Sequence, residues 1–198
     1  MFLRAGAFTL AAAVVVVLSW LGFGLILIIG KRAAARGATR REVKSHLGFL
    51  LQCCGYAFIA VFHRNDFSAL IGDRRASDIV LLAVIVAITV VSEWFCYEAA
   101  RMLGKQWALV ARVIQGHQLV QQGPYAVVRN PIYLAMLGNL LATALAFGTW
   151  PALLAAAGLF AAGTVIRIRS EERLLREAFG EKFEEYARQV PAFIPKIG

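Results

Sequence analysis

The sequence predicts an all-α integral membrane protein of about five transmembrane helices, with a C-terminal helical hairpin and a cytoplasmic helical tail. Three observations lead there. Hydrophobic side chains make up 60% of the 198 residues and charged ones only 17%, where a soluble domain carries about 25%. The mean hydropathy is +0.66. Uncharged runs recur along the chain, several near the roughly 20 residues a helix needs to cross a bilayer, and lysines and arginines gather between them.

Each element follows in order. Ala5 to Gly30 carries no charge and is long enough to cross. Lys31-Arg32 follows where a secretory leader would place a small-residue cleavage site, so this run reads as a retained span. Leu47 to Phe62 is uncharged but short, and crosses with little tilt. Ile79 to about Cys96 is rich in Val, Leu and Ile and holds one acid, Glu93, near its far end. The run from Pro131 to Ile166 exceeds one span, and Gly148-Thr149-Trp150-Pro151 interrupts it with turn residues. Two antiparallel helices joined by a tight hairpin result. In the polar tail, Gly180 ends one helix, a second short helix follows, and Pro191 and Pro195 stop it. Residues 1–100 thus hold three spans on the lipid side, and residues 101–198 hold a polar segment, the hairpin and the tail.

Charge sets the expected orientation. Lys31, Arg32, Arg36, Arg40, Arg41 and Lys44 outnumber Glu42 in the first loop, which marks it as cytoplasmic. In the second loop Arg64, Arg74 and Arg75 are balanced by Asp66, Asp73 and Asp78. The N-terminus then lies outside, with residues 97–130 and the tail inside. Topology and anionic headgroups account for the net charge of +9, and no basic-aromatic pattern points to nucleic acid. Cys53, Cys54 and Cys96 fall within spans without C-x-x-C spacing and read as packing residues. His46, His63 and His117 are too scattered for a metal cluster, so no metal is expected. Gly22 and Gly24 lack the third glycine of a nucleotide loop and read as helix-packing positions, and Gly158 and Ala162 form a small-x-x-x-small step.

Two stretches carry more than membrane entry needs. In GPYAVVRNPIY, Gly123 to Tyr133, Gly123-Pro124 reads as a turn, with Asn130 at an N-cap and Pro131 at the first helical position. The free amides of a membrane helix then lie at the cytoplasmic interface, where they attract an anion. Arg129 adds positive charge, and Tyr125 and Tyr133 add aromatic surface with a polar tip. Interfacial anchoring explains Arg and Tyr at this level equally well. In RIRSEERLLREAFGEKFEEYARQVPAFIP, Arg167 to Pro195, Arg167 and Glu171 share a helix face, as do Glu172 and Arg176. Glu177, Glu181, Glu184 and Glu185 suit a solvated tail. An ionisable pair at the apolar boundary, Arg167 with Glu171, suggests function.

The blocks LGKQWALV, GHQLVQQGPYAVVRNPIY and RIRSEERLLREAFGEKFEEYARQVPAFIP together resemble the isoprenylcysteine carboxyl methyltransferase family, related to phospholipid N-methyltransferases. The resemblance covers about residues 103 to 195 and implies S-adenosylmethionine-dependent methyl transfer at the membrane surface, with the tail helping to form the cofactor pocket. By motif, His117, Gln118, Leu119 and Val120 would line the adenosine side, with Tyr125 packing on the cofactor. Asn130, Pro131, Ile132 and Tyr133 would supply the helix start, Glu171 would reach the cofactor, and Arg167 would face the methyl acceptor. The family's frequent R-H-P is Arg129-Asn130-Pro131 here, and asparagine cannot titrate as histidine does.

The chemistry fits that assignment. A carboxylate such as Glu171 suits the cofactor's cationic groups, and the helix start with Arg129 suits its carboxylate. An ionised acceptor carboxylate is already nucleophilic and needs only alignment, which a positive Arg167 supplies. An amine acceptor needs a base, for which Glu171, Glu172 and Glu93 are the candidates. A lipophilic or prenylated acceptor enters sideways from the bilayer. A non-catalytic lipid-binding protein leaves the paired motifs unexplained, and a transporter would place its ionisable groups at the midplane.

Overall fold

The computed structural model describes residues 2–33, 38–41, 45–64, 75–107, 112–114 and 116–195. In chain order the elements are α1 (Phe2–Ala33), β1 (Ala38–Arg41), α2 (Ser45–Val61), α3 (Arg75–Leu103), β2 (Arg112–Ile114), α4 (Pro124–Val127), α5 (Pro131–Phe147), α6 (Trp150–Phe179) and α7 (Glu181–Gln189). The architecture is all-α. A short antiparallel ladder between β1 and β2 pairs Ala38 with Ile114 and Arg41 with Arg112, a feature with no signal in the sequence. The second loop, with Asp66, Asp73 and Arg74, lies outside the described residues, as do Arg36, Glu42 and Lys44.

Three stretches, Phe8–Gly30, Ser77–Gln106 and Trp150–Phe179, have the length and hydropathy to cross a bilayer. The 17-residue α2 and α5 are shorter, about 26 Å against a hydrocarbon core of about 30 Å. Both still run the length of the bundle. Gly48 near the start of α2 lies against Arg167, and its far end meets the α5–α6 hairpin, where His63 pairs with Gly148 and the Arg64 amide donates to the Phe147 carbonyl at 2.7 Å. Hence β1, β2, the start of α5 and the end of α6 gather at one end, and the hairpin at the other.

The hairpin is tighter than expected. Trp150 and Pro151, placed in the turn by the sequence, open α6 instead. Thr149 is its N-cap and accepts from the Ala152 amide at 3.4 Å. Proline fits there because first-turn amides have no helical acceptor anyway.

Outward faces are apolar: Leu18 and Leu25 on α1, Val80 and Val91 on α3, and Leu154 on α6 are all exposed. In lipid such side chains are solvated, so the helices associate through close packing and internal hydrogen bonds rather than through hydrophobic burial. Two glycines bring backbone against backbone. A Cβ at Gly48 would meet the Gly163 carbonyl oxygen at 2.6 Å, and one at Gly163 would meet the Gly48 carbonyl at 2.5 Å. Backbone therefore lies on backbone between the antiparallel α2 and α6. Gly22 packs against Glu93, whereas the space around Gly24 and Gly158 is open, so only Gly22 of that pair works as a packing position.

Inside the bundle, α1, α3 and α5 are joined by polar groups. Ser19 Oγ lies 2.9 Å from Glu93 Oε1 and 2.5 Å from Asn139 Oδ1, and Asn139 Nδ2 donates to Glu93 Oε1 at 3.1 Å. Trp20 Nε1 donates to Thr143 Oγ1 at 3.2 Å. Between this cluster and the β1–β2 end, Phe23, Cys96 and Ala135 form an apolar layer. Cys96 is buried there as a packing residue, while Cys53 and Cys54 are exposed.

Candidate active site

The site begins with the turn that delivers the chain into α5. Gly123, at φ 58°, occupies the left-handed region that glycine enters without penalty, and Pro124 opens the single turn α4. Val128 is extended. Asn130 is the N-cap of α5 and Pro131 its first helical residue, as the spacing predicts. The Asn130 side chain, however, makes no capping bond. Its Nδ2 donates instead to the Ala192 carbonyl at 2.8 Å, tying the turn to the C-terminal tail. The first intrahelical donor is Leu134, whose amide reaches the Asn130 carbonyl at 3.4 Å. The amides of Ile132 and Tyr133 precede it and have no acceptor within the helix. Both residues line the cavity.

The C-terminal tail closes over this turn. Phe183 is fully buried beneath the guanidinium groups of Arg176 and Arg129, 5.2 and 6.0 Å from its ring centre. The Tyr186 hydroxyl donates to the Tyr125 carbonyl at 2.6 Å, and the Arg129 amide donates to the Pro191 carbonyl at 2.9 Å. Both phenols stay neutral. Burial, with nearby Glu171 second, holds Tyr125 well above its ordinary value. Burial also pushes Tyr186 up to about 12 against the opposing pull of Arg129.

Arg129 has more protein partners than its place in the sequence reveals. Its Nε and Nη2 donate to Glu172 Oε1 at 3.0 and 2.7 Å. Its Nη1 donates to the carbonyls of Ala187, at 3.0 Å, and Val190. The guanidinium lines the cavity while protein groups engage it, so it clasps α6 and α7 to the α5 turn. Glu172 completes the clasp through Arg176 at 3.2 Å, and Arg176 reaches Glu184 at 2.8 Å.

Arg167 and Glu171, one turn apart on α6, are joined through Tyr133. Arg167 Nε donates to the Tyr133 hydroxyl at 2.8 Å, and that hydroxyl donates to Glu171 Oε1. Arg167 is 4% exposed. Its guanidinium carbon lies 5.0 Å from the Tyr133 ring centre and 5.6 Å from that of Phe49, so two aromatic faces hold the cation.

One cavity, with about 1210 Å³ of empty space including its open mouth, is lined by His117, Gln118, Leu119, Val120, Tyr125, Arg129, Asn130, Pro131, Ile132, Tyr133, Arg167 and Glu171. Those are the cofactor and acceptor residues named from sequence; of the candidate bases, Glu171 and Glu172 line the cavity, whereas Glu93 lies with Ser19 and Asn139 inside the bundle. His117 to Val120 form an irregular segment, anchored where the Gln118 amide donates to Gln106 Oε1. The wall also includes residues that sequence reasoning missed: Leu27 of α1, Phe49 of α2, Trp107, Met136 of α5, and Leu174 and Leu175 of α6. Gln52, on α2, reaches Arg167 from behind. Its signal was available, because an amide inside an apolar span needs a partner.

The lining presents an unfilled helix start, a carboxylate and apolar wall. That donor set fits a ligand carrying both a carboxylate and a cationic centre, with Leu119, Leu174 and Leu175 suited to a flat apolar ring.

Comparison with known proteins places this geometry. The family model described as phospholipid methyltransferase matches residues 80–182. The cobalt-zinc-cadmium resistance protein CzcN of Cupriavidus metallidurans is 37% identical over 100 residues, covering 48% of this chain and 44% of that protein. The uncharacterized protein YpbQ of Bacillus subtilis is 25% identical over 168 residues, 80% of this chain and 96% of that one. A protein-S-isoprenylcysteine O-methyltransferase of Schizosaccharomyces pombe is 35% identical over 81 residues, 41% of this chain and 34% of the enzyme. The chain spans about half the length of CzcN and of the nickel-cobalt-cadmium resistance protein NccN of Alcaligenes xylosoxydans, at 44% and 48%.

Proposed function

Because the chain belongs to the phospholipid methyltransferase family, we propose that it transfers a methyl group from S-adenosylmethionine to a lipophilic acceptor, the carboxylate of an isoprenylcysteine-like molecule. The observation that carries this reading is the linked series Arg167, Tyr133 and Glu171 on the wall of the cavity. When bound, S-adenosylmethionine supplies an electrophilic methyl group on a sulfonium.

Every other part of the chemistry falls to the chain. The amides of Ile132 and Tyr133 hold the cofactor carboxylate, and Glu171 faces its cationic groups. His117 to Val120, with Tyr125, form the wall on the adenosine side. Arg167 binds the acceptor carboxylate and turns it toward the methyl group, so that an already ionised nucleophile needs no base. Phe49 and Tyr133 keep water from that contact, which strengthens it. The acceptor's apolar tail comes from the bilayer, past α1 and α2, whose Leu27 and Phe49 reach the cavity. By charge asymmetry the site faces the cytoplasm; surface labelling of cysteines introduced at Arg40 and at Lys182 on that side alone is the outcome this orientation requires.

A lipid amine is the second reading, favoured by the description of the family model itself. Glu171 would then have to accept a proton from the acceptor. Incubation with radiolabelled S-adenosylmethionine, N-acetyl-S-farnesylcysteine and phosphatidylethanolamine decides between them. Base-labile label on the farnesylcysteine supports the ester, and base-stable label on the phospholipid supports the amine. Absence of thermal stabilisation by S-adenosylhomocysteine well above micromolar concentration would remove both.

A further inference from the structure

We infer that Gln52 is a positioning residue for the acceptor, holding the Arg167 guanidinium toward the cavity through a neutral contact that sets no further negative charge beside it. The inference rests on the proposed O-methylation and adds a determinant of substrate charge from the first half of the chain.

Gln52 is completely buried on α2. Its Nε2 donates to Thr164 Oγ1 at 2.9 Å, and its Oε1 accepts from Arg167 Nη1 at 3.3 Å. A guanidinium has donors only, so the amide oxygen must face Arg167 and the nitrogen must face Thr164. The two partners thus fix which way the amide points. On the other side Arg167 Nε is held by Tyr133. The guanidinium is therefore gripped from α2 and from α5 while its stem belongs to α6, and little rotation remains to it.

Backbone contact between Gly48 and Gly163 brings Gln52 within reach. That close approach and the amide are one arrangement, since a longer gap between α2 and α6 would leave a buried amide without these partners.

The choice of side chain is informative. A carboxylate of the same shape would bind Arg167 more strongly, but it would compete with an acceptor carboxylate for the same charge. A leucine would leave a guanidinium N–H and the Thr164 hydroxyl without this partner. Glutamine alone of the three holds geometry without opposing charge.

The experiment uses the full chain in lipid nanodiscs, with Gln52→Glu and Gln52→Leu beside the unaltered protein. N-acetyl-S-farnesylcysteine and its methyl ester serve as probes for binding, the free acid for turnover, and S-adenosylhomocysteine for the cofactor side. The inference expects Gln52→Glu to keep the melting temperature and, within about twofold, the S-adenosylhomocysteine affinity, while KM for the acid rises roughly tenfold or more and preference for acid over ester disappears. Gln52→Leu loses kcat along with melting temperature. A Gln52→Glu protein with unchanged KM and unchanged acid preference would show Gln52 to be packing only, and a lowered KM would point to a cationic acceptor; either overturns the inference. Unaltered protein that binds acid and ester alike, or methylates neither probe acid nor its analogues, fails earlier and sinks the O-methylation reading itself.

Discussion

Arg129 and Glu172, 43 residues apart in sequence, meet in a 2.7 Å ion pair whose side chains are 11% and 10% exposed. The pair joins the turn before α5 to the end of α6, and through the Ala187 and Val190 carbonyls to α7. One guanidinium thus gathers three of the segments that wall the cavity. Deleting Arg129 leaves Glu172 only its more exposed partner Arg176, so the cost approaches but stays below the about 3–5 kcal/mol of a fully stranded buried charge. Arg129→Ala should therefore lower the melting temperature and weaken S-adenosylhomocysteine binding together. Arg129→Lys should recover little, because one ammonium cannot serve a carboxylate and two carbonyls in a fixed fork. A normal melting curve for the alanine variant would show the clasp to be dispensable.

Glu171 and Glu184 lie on the same tail but in different surroundings. Glu171 is partly buried and bonded to Tyr133, whereas the Glu184 side chain is 44% exposed beside Arg176. Removing a desolvated charge that faces a cation costs several kcal/mol, and an exposed pair contributes about 0–1 kcal/mol. Calorimetry should find cofactor affinity much reduced in Glu171→Gln and nearly intact in Glu184→Gln. Equal affinities would take Glu171 out of the cofactor site.

Arg167→Ala should leave cofactor affinity nearly unchanged while methyl transfer falls, since the lost contact belongs to the acceptor and to alignment in the transition state. Arg167→Lys should restore only part of the rate, because an ammonium cannot bond Tyr133 and Gln52 in one plane. Paired measurements of affinity and turnover test this. Full activity in the alanine variant would reduce Arg167 to a packing residue.

Gly48→Ala should separate close packing from small size alone. A methyl there meets the Gly163 carbonyl and Arg167 Cγ, both at 2.6 Å, whereas one at Gly158 meets nothing within 4 Å. Overpacking of this kind costs about 1–3 kcal/mol, so Gly48→Ala should melt lower and turn over more slowly while Gly158→Ala matches the parent. Equal melting of the two variants would mean that α2 and α6 can separate without consequence.

Periodicity and composition reveal the helices because each apolar run has to satisfy its own backbone in lipid. They reveal the start of α5 because asparagine suits an N-cap and proline the first helical position. They do not reveal what Asn130 does with its side chain, since the competing acceptor, Ala192, lies 62 residues away. The partner of Arg129 is hidden for the same reason, since Glu172 lies 43 residues away. Gln52 and Phe49 reach the site through the packing of α2 on α6, a glycine-to-glycine contact that no local pattern announces. The ladder between Ala38–Arg41 and Arg112–Ile114 is likewise a long-range pairing of short segments.

The polar cluster within the bundle bears on how the chain is assembled during synthesis. Glu93 is 74 residues from Ser19 and 46 from Asn139. When α3 leaves the ribosome, Ser19 already exists and Asn139 does not. At about 5–20 residues per second, the 46-residue gap lasts roughly 2 to 9 s. Through that interval α3 must carry its acid in or beside the bilayer with Ser19 of α1 as the one partner of this cluster already made, and the Asn139 amide reaches Glu93 only once α5 arrives.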